Sequence, residues 1–221
     1  MSDMEEHGVD RSVIASLSDY PGPGERDLSY LKRARASSPE RLIAFARLDF
    51  RYEEITPRFL EKLIMERGFS GILFDPSSTC TLPYRDELIP FMQRAAKLSV
   101  PVLIPSRYPQ FGLPDQISEL ARKCPGLNVV IGHMGTALHA TRAINLAKKY
   151  ENIYLETSVQ QSPERIRLGI EKLGEKRLLF GSGSPYGNLK FELSKIEAAV
   201  LNRETLEFLL WKNAERLLNH D

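Results

Sequence analysis

Asn128-Val129-Val130-Ile131-Gly132-His133-Met134-Gly135, the helical stretch 141–150 and then Asn152-Ile153-Tyr154-Leu155-Glu156-Thr157 decide how this chain folds. An apolar run, a helix-length segment and a second apolar run form a strand, helix, strand unit, and such a crossover joins parallel strands. The same rhythm extends both ways. Runs at 9–17, 42–48, 71–74 and 102–104 precede this unit and one at 177–180 follows it, which makes about seven strands in alternation with helices.

The intervening segments carry helical signals. In 57–67, Phe59, Leu60, Leu63 and Ile64 fall on one stripe, and Gly68 stands where a helix would end. Segments 88–98, 115–123, 141–150 and 163–173 read the same way. The stretch 194–218 reads as helix in two parts, with Asn202 as an N-cap. Residues 20–38 read as a loop. The first turn, Asp19-Tyr20-Pro21-Gly22-Pro23-Gly24, is not the Gly-x-Gly-x-x-Gly fingerprint of a dinucleotide site. A doubly wound open sheet therefore falls behind a TIM-barrel-like (β/α) barrel of about seven strands, built as one domain over residues 1–221.

Composition narrows the function. The 221 residues carry 30 Lys and Arg against 29 Asp and Glu, a formal charge of +1, so no global field draws nucleic acid or an anionic membrane. Cys80 and Cys124 are the two cysteines and form no Cys-x-x-Cys pair. The amino terminus lacks a basic region followed by an apolar one, and no apolar run reaches about 18 residues. The expectation is a cytoplasmic protein.

In a (β/α) barrel the chemistry sits at the carboxyl ends of the strands. Those ends offer Asp49 and Arg51, Asp75 and Ser77, Ser106 and Arg107, His133, Glu156 and Thr157, and Ser182 and Ser184. His133, between glycines, is the leading catalytic candidate, against the plainer role of closing a loop. Glu156 is positioned to orient an imidazole, or else to pair with Arg107. Arg107 suits a carboxylate or phosphate, or a structural ion pair. Together with Asp75, Ser182 and Ser184 in the loop 181–187, it makes up the substrate-binding set, and a small anionic ligand is the expected occupant. His139, His7 and His220 read as surface residues.

Several of these segments, taken in order, resemble a known family. Glu6-His7-Gly8-Val9-Asp10-Arg11, Leu42-Ile43-Ala44-Phe45-Ala46-Arg47-Leu48-Asp49, Ile131-Gly132-His133-Met134-Gly135, Tyr154-Leu155-Glu156-Thr157-Ser158, Leu179-Phe180-Gly181-Ser182 with Ser184-Pro185-Tyr186, and Asn213-Ala214-Glu215-Arg216-Leu217-Leu218 are similar to the amidohydrolase-related branch of the metal-dependent hydrolases. The resemblance implies a (β/α)8 barrel. It also implies a divalent metal held by a His-x-His pair on the first strand, a His after the fifth and an Asp after the eighth. Its members hydrolyse amides, esters and lactones or decarboxylate small acids.

Matched to that pattern, the chain starts before the second strand, Pro105 stands at the fifth-strand ligand and Gly183 at the eighth-strand one, while His133 matches the sixth-strand His. The expectation is thus no metal and no other cofactor. A substitute site from Asp75, His133 and Glu156 is the outside alternative. The leading functional expectation is a degenerate barrel that binds a small molecule or serves assembly. The alternative is a hydrolase or lyase acting on a small carboxylate, ester or lactone with His133 as general base. A barrel lacking one strand exposes two sheet edges. Met1 to His7, the loop 20–38 or a partner in a homo-oligomer would cover them, or the seven strands would close into a smaller ring.

Overall fold

Seven parallel strands lie side by side in chain order as a half-barrel. The computed structural model describes residues 1–16, 24–107 and 110–218. The strands are β1 (Ser12–Ile14), β2 (Leu42–Arg47), β3 (Gly71–Leu73), β4 (Val102–Pro105), β5 (Val129–Gly132), β6 (Ile153–Glu156) and β7 (Leu178–Leu179). Every neighbouring pair is parallel, and β1 and β7 end the sheet without pairing to each other, so among the described residues the smaller closed ring is not formed. β1 is shorter than its apolar run, and Leu17 of that run lies outside the described residues.

Between the strands run α1 (Ser2–Glu6), α2 (Glu25–Ser37), α3 (Pro57–Met65), α4 (Pro76–Thr79), α5 (Ile89–Lys97), α6 (Pro114–Lys123), α7 (Thr136–Lys149), α8 (Pro163–Leu173), α9 (Leu189–Ala199), α10 (Arg203–Glu207) and α11 (Asn213–Leu218), with a π-helical turn at Phe208–Lys212. Local chemistry sets their starts. Thr56 accepts the Phe59 N–H at 3.0 Å and Pro57 opens α3. Ser162 caps α8 ahead of Pro163, and Asn202 caps α10 through the Thr205 N–H at 2.8 Å. Segment 25–37, expected to be loop, is helix α2, and α7 begins five residues before its expected start.

Alternation along each strand sorts the core. Ile72, Ile104, Ile131 and Leu155 are fully buried against the helices. Leu103, Val130, Tyr154 and Leu179 face the other way and pack with Ala214 and Leu217 of α11. At the amino-terminal side of the sheet, each successive unit staples the connection behind it. The Asn152 amide donates to the carbonyls of Ala121, Cys124 and Leu127. The Arg177 guanidinium donates to those of Ala147 and Tyr150, and the Asn213 amide to those of Glu175 and Leu178. For Ala121, Cys124, Ala147 and Tyr150 these donors satisfy helix-end carbonyls that lack an intrahelical partner. Burial holds the Arg177 pKa below its ordinary value.

The β7 edge is covered by the carboxy-terminal helices, which were not among the expected covers. Phe180 N–H donates to the Leu209 carbonyl at 2.9 Å, and Asn213 reaches Leu178 at 2.7 Å. α1 is instead tied to Arg41, which bonds Glu5 and the Val9 and Asp10 carbonyls. Residues 17–23 and 219–221, including most of the Asp19 to Gly24 turn and His220, lie outside the described residues.

Candidate active site at the strand ends

The carboxyl ends of β5 and β6 bring three side chains together. Glu156, last residue of β6, turns its carboxylate over Gly181, where a Cβ would lie 1.6 Å from Oε1; only glycine leaves that room. Its Oε2 accepts the His133 backbone N–H at 3.0 Å and the Ser158 hydroxyl at 2.9 Å, and its Oε1 accepts the Ser158 N–H at 2.6 Å. Ser158 Oγ lies 2.8 Å from His133 Nδ1.

The proton count follows from this network. The one hydroxyl hydrogen of Ser158 goes to Glu156, so Nδ1 must be the donor to Oγ. The network thereby assigns the neutral imidazole its proton on Nδ1 and leaves Nε2 as the nitrogen available for proton transfer. Glu156 does not hold the ring directly. Its Oε2 is 3.9 Å from Nδ1, and Ser158 relays between them.

Strained backbone frames the group. His133, Met134 and Thr136 have φ of 62°, 49° and 58°, and Val159 has φ of 62°. Left-handed conformations cost non-glycine residues free energy and persist only where surrounding contacts over-determine them.

On the neighbouring strands, Asp75 accepts the N–H groups of Ser77 and Ser78 at the start of α4 and faces Arg107 across 3.4 Å. That ion pair replaces the expected pairing of Arg107 with Glu156. At 3.4 Å it is longer than a usual charge-assisted bond, and the Arg107 side chain is 38 % exposed. Asp49 and Arg51 bond each other, which holds the Arg51 pKa above its ordinary value. Ser106 donates to the Gly112 carbonyl. The hydroxyls of Ser182 and Ser184 are engaged inside their own loop, by the Ser184 N–H and the Gly187 carbonyl. Thr157, offered by the same strand end, is fully buried and its hydroxyl bonds none of the described residues; its carbonyl accepts from Lys195. His139 lies in the first turn of α7.

A divalent metal does not fit the described donors. Oε2 of Glu156 already accepts two hydrogen bonds and Oε1 one from N–H and O–H donors, and Asp75 serves its own helix start and Arg107. Pro105 and Gly183 offer no side-chain ligand. Among the described residues no group of three or more His, Cys, Asp or Glu is placed to hold such an ion, so the Asp75, His133 and Glu156 substitute is not assembled. Among them, too, no helix is long and apolar enough to cross a membrane.

The structure puts His133 and Glu156 at adjacent strand ends and adds Ser158, which the sequence reading did not name as a candidate. The signal was in the Glu156-Thr157-Ser158 run, but a serine two residues past a strand points to an imidazole only because the backbone turns at Val159.

Comparison with known proteins agrees with the architecture. The chain is 25 % identical to a gamma-resorcylate decarboxylase of Polaromonas sp., with 97 % of this chain and 84 % of the relative covered. It is 23 % identical to a gamma-resorcylate decarboxylase of Rhizobium radiobacter, with 99 % and 85 % covered. Its fold superposes on the 2,6-dihydroxybenzoate decarboxylase from Rhizobium with a TM-score of 0.81 at 20 % identity, covering 98 % of this chain and 86 % of that one. A dihydroxybenzoic acid decarboxylase from Polaromonas sp., solved with bound manganese and the inhibitor 2-nitroresorcinol, gives 0.79 at 21 % identity, covering 97 % and 83 %. These similar proteins are decarboxylases, not hydrolases. A family model described as amidohydrolase matches residues 18–219, nearly the whole chain, and the chain belongs to that amidohydrolase family.

Proposed function

We propose that this protein is a lyase that removes the carboxyl group of a small aromatic acid, with His133 moving the proton. The observation that carries the reading is the Glu156, Ser158, His133 relay, which leaves Nε2 as the working nitrogen. The names of the relatives support the substrate class. They also favour a lyase over the non-catalytic barrel expected first.

The step balances with the residues present. Protonated His133 gives its Nε2 proton to the ring carbon that bears the carboxylate. The bond from that carbon to the carboxyl carbon breaks, CO₂ leaves, and the imidazole is left neutral with its remaining proton on Nδ1, the tautomer that Ser158 holds. Solvent restores the Nε2 proton. Arg107, loosely paired and partly exposed, turns from Asp75 to hold the substrate carboxylate.

A second reading, binding without turnover, draws on Pro105 and Gly183 standing where the family resemblance places ligands. Chelator-treated protein incubated with 2,6-dihydroxybenzoate and related hydroxybenzoates separates the two. Product formation that survives chelation and disappears in His133→Ala supports the lyase. Saturable binding of the same acids by calorimetry without product supports the second reading, and neither binding nor product overturns both.

A further inference from the structure

Beneath the relay lies an ion pair that the proposed chemistry does not use. Lys195 and Glu192 of α9 sit one turn apart with side chains 1 % and 6 % exposed, and they bond each other. Removing two charges from water costs several kcal/mol per ion, and a hydrophobic pair of the same volume is often at least as stable. The pair therefore calls for a reason beyond stability.

Its contacts supply one. Lys195 Nζ donates to the Thr157 carbonyl at 2.8 Å, and the same carbonyl accepts the Gln160 N–H at 3.3 Å, closing the turn 157–160. That turn contains Val159 in a left-handed conformation unfavourable for a β-branched residue, and it presents Ser158 to His133. Gln160, fully buried, clips the turn to the second strained segment by donating from Nε2 to the Thr136 carbonyl at 3.0 Å. The two strained loops are thus bound to each other through Gln160, and the 157–160 turn is held in addition by Lys195.

We propose that Lys195 is a positioning residue: it holds the 157–160 turn in the strained form that sets Ser158 against His133 Nδ1. This rests on His133 being the working group. It predicts that the Lys195 ammonium, rather than the packing around it, determines the state of an imidazole it does not touch.

The test uses the whole chain. ¹⁵N-labelled wild type, Lys195→Met/Glu192→Leu and Glu192→Gln are compared by the ring-nitrogen signals of His133, with circular dichroism reporting the fold. The double variant exchanges the ion pair for apolar side chains; it is expected to stay folded yet lose the dominant Nδ1–H tautomer of His133. Glu192→Gln keeps the Lys195 bond to Thr157 and is expected to keep that tautomer, even at lower stability. If the protein turns over a hydroxybenzoate, the double variant is also expected to lower kcat about 10-fold with KM within about twofold.

Should the double variant not fold, Gln160→Met removes the other clip of the same turn and must shift the His133 signals in the same way. Unchanged His133 signals in the folded variant overturn the proposal, as does loss of the tautomer in Glu192→Gln. Absence of lyase activity in wild type counts against the proposed function alone, because the nitrogen signals are read without substrate.

Discussion

Replacing Glu156 by Gln tests the relay at its anchor. Oε2 accepts two hydrogen bonds and Oε1 one, and the side chain is only 14 % exposed. In Glu156→Gln the carbonyl oxygen can keep the bonds from His133 N–H and the Ser158 hydroxyl, each weakened by about 1 kcal/mol as the acceptor loses its charge. The amide NH₂ then faces the Ser158 N–H, donor against donor, at about 1–3 kcal/mol. Relief of burying a charge offsets part of that loss, leaving about 2–3 kcal/mol. At about 2–4 °C per kcal/mol for a chain of this size, thermal unfolding followed by circular dichroism should move down by about 4–12 °C. A midpoint within about 2 °C of wild type refutes the assigned bonds.

Gly181→Ala places a methyl 1.6 Å from Glu156 Oε1 and must displace that carboxylate; loss of turnover is expected in the hydroxybenzoate product assay. Arg177→Lys exchanges a guanidinium that reaches the Ala147, Tyr150 and Ile153 carbonyls for a single ammonium, and urea unfolding should show a loss of about 1–3 kcal/mol. Arg142 beside Asp115 holds that carboxyl below its ordinary value, so the pair adds stability above the unfolded carboxyl pKa of about 3.9 and loses it as pH falls through the lower folded value. Both groups are about half exposed, so Asp115→Asn should cost under about 1 kcal/mol at pH 7, with the difference in urea midpoints shrinking as the carboxyl is protonated in acid.

The strand and helix alternation was legible because buried parallel strands are short apolar runs and their covering helices carry one apolar stripe. α2 was not, because only Leu28 and Leu31 of its thirteen residues are buried and its remainder is mostly charged or small. The site was half legible. Strand ends expose His133 and Glu156 to pattern reading, whereas Ser158 and Lys195 enter through backbone that no residue preference announces: four non-glycine residues at positive φ across two neighbouring loops. The cover of β7 escaped for a related reason. It depends on a π-helical turn and on Asn213 reaching back 35 residues to Leu178.

The most direct measurement is release of ¹³CO₂ from carboxyl-labelled 2,6-dihydroxybenzoate by chelator-treated wild type and His133→Gln. The account requires release by wild type and its loss in the variant at unchanged fold. Equal release by both, or release by wild type only when manganese is added, contradicts it.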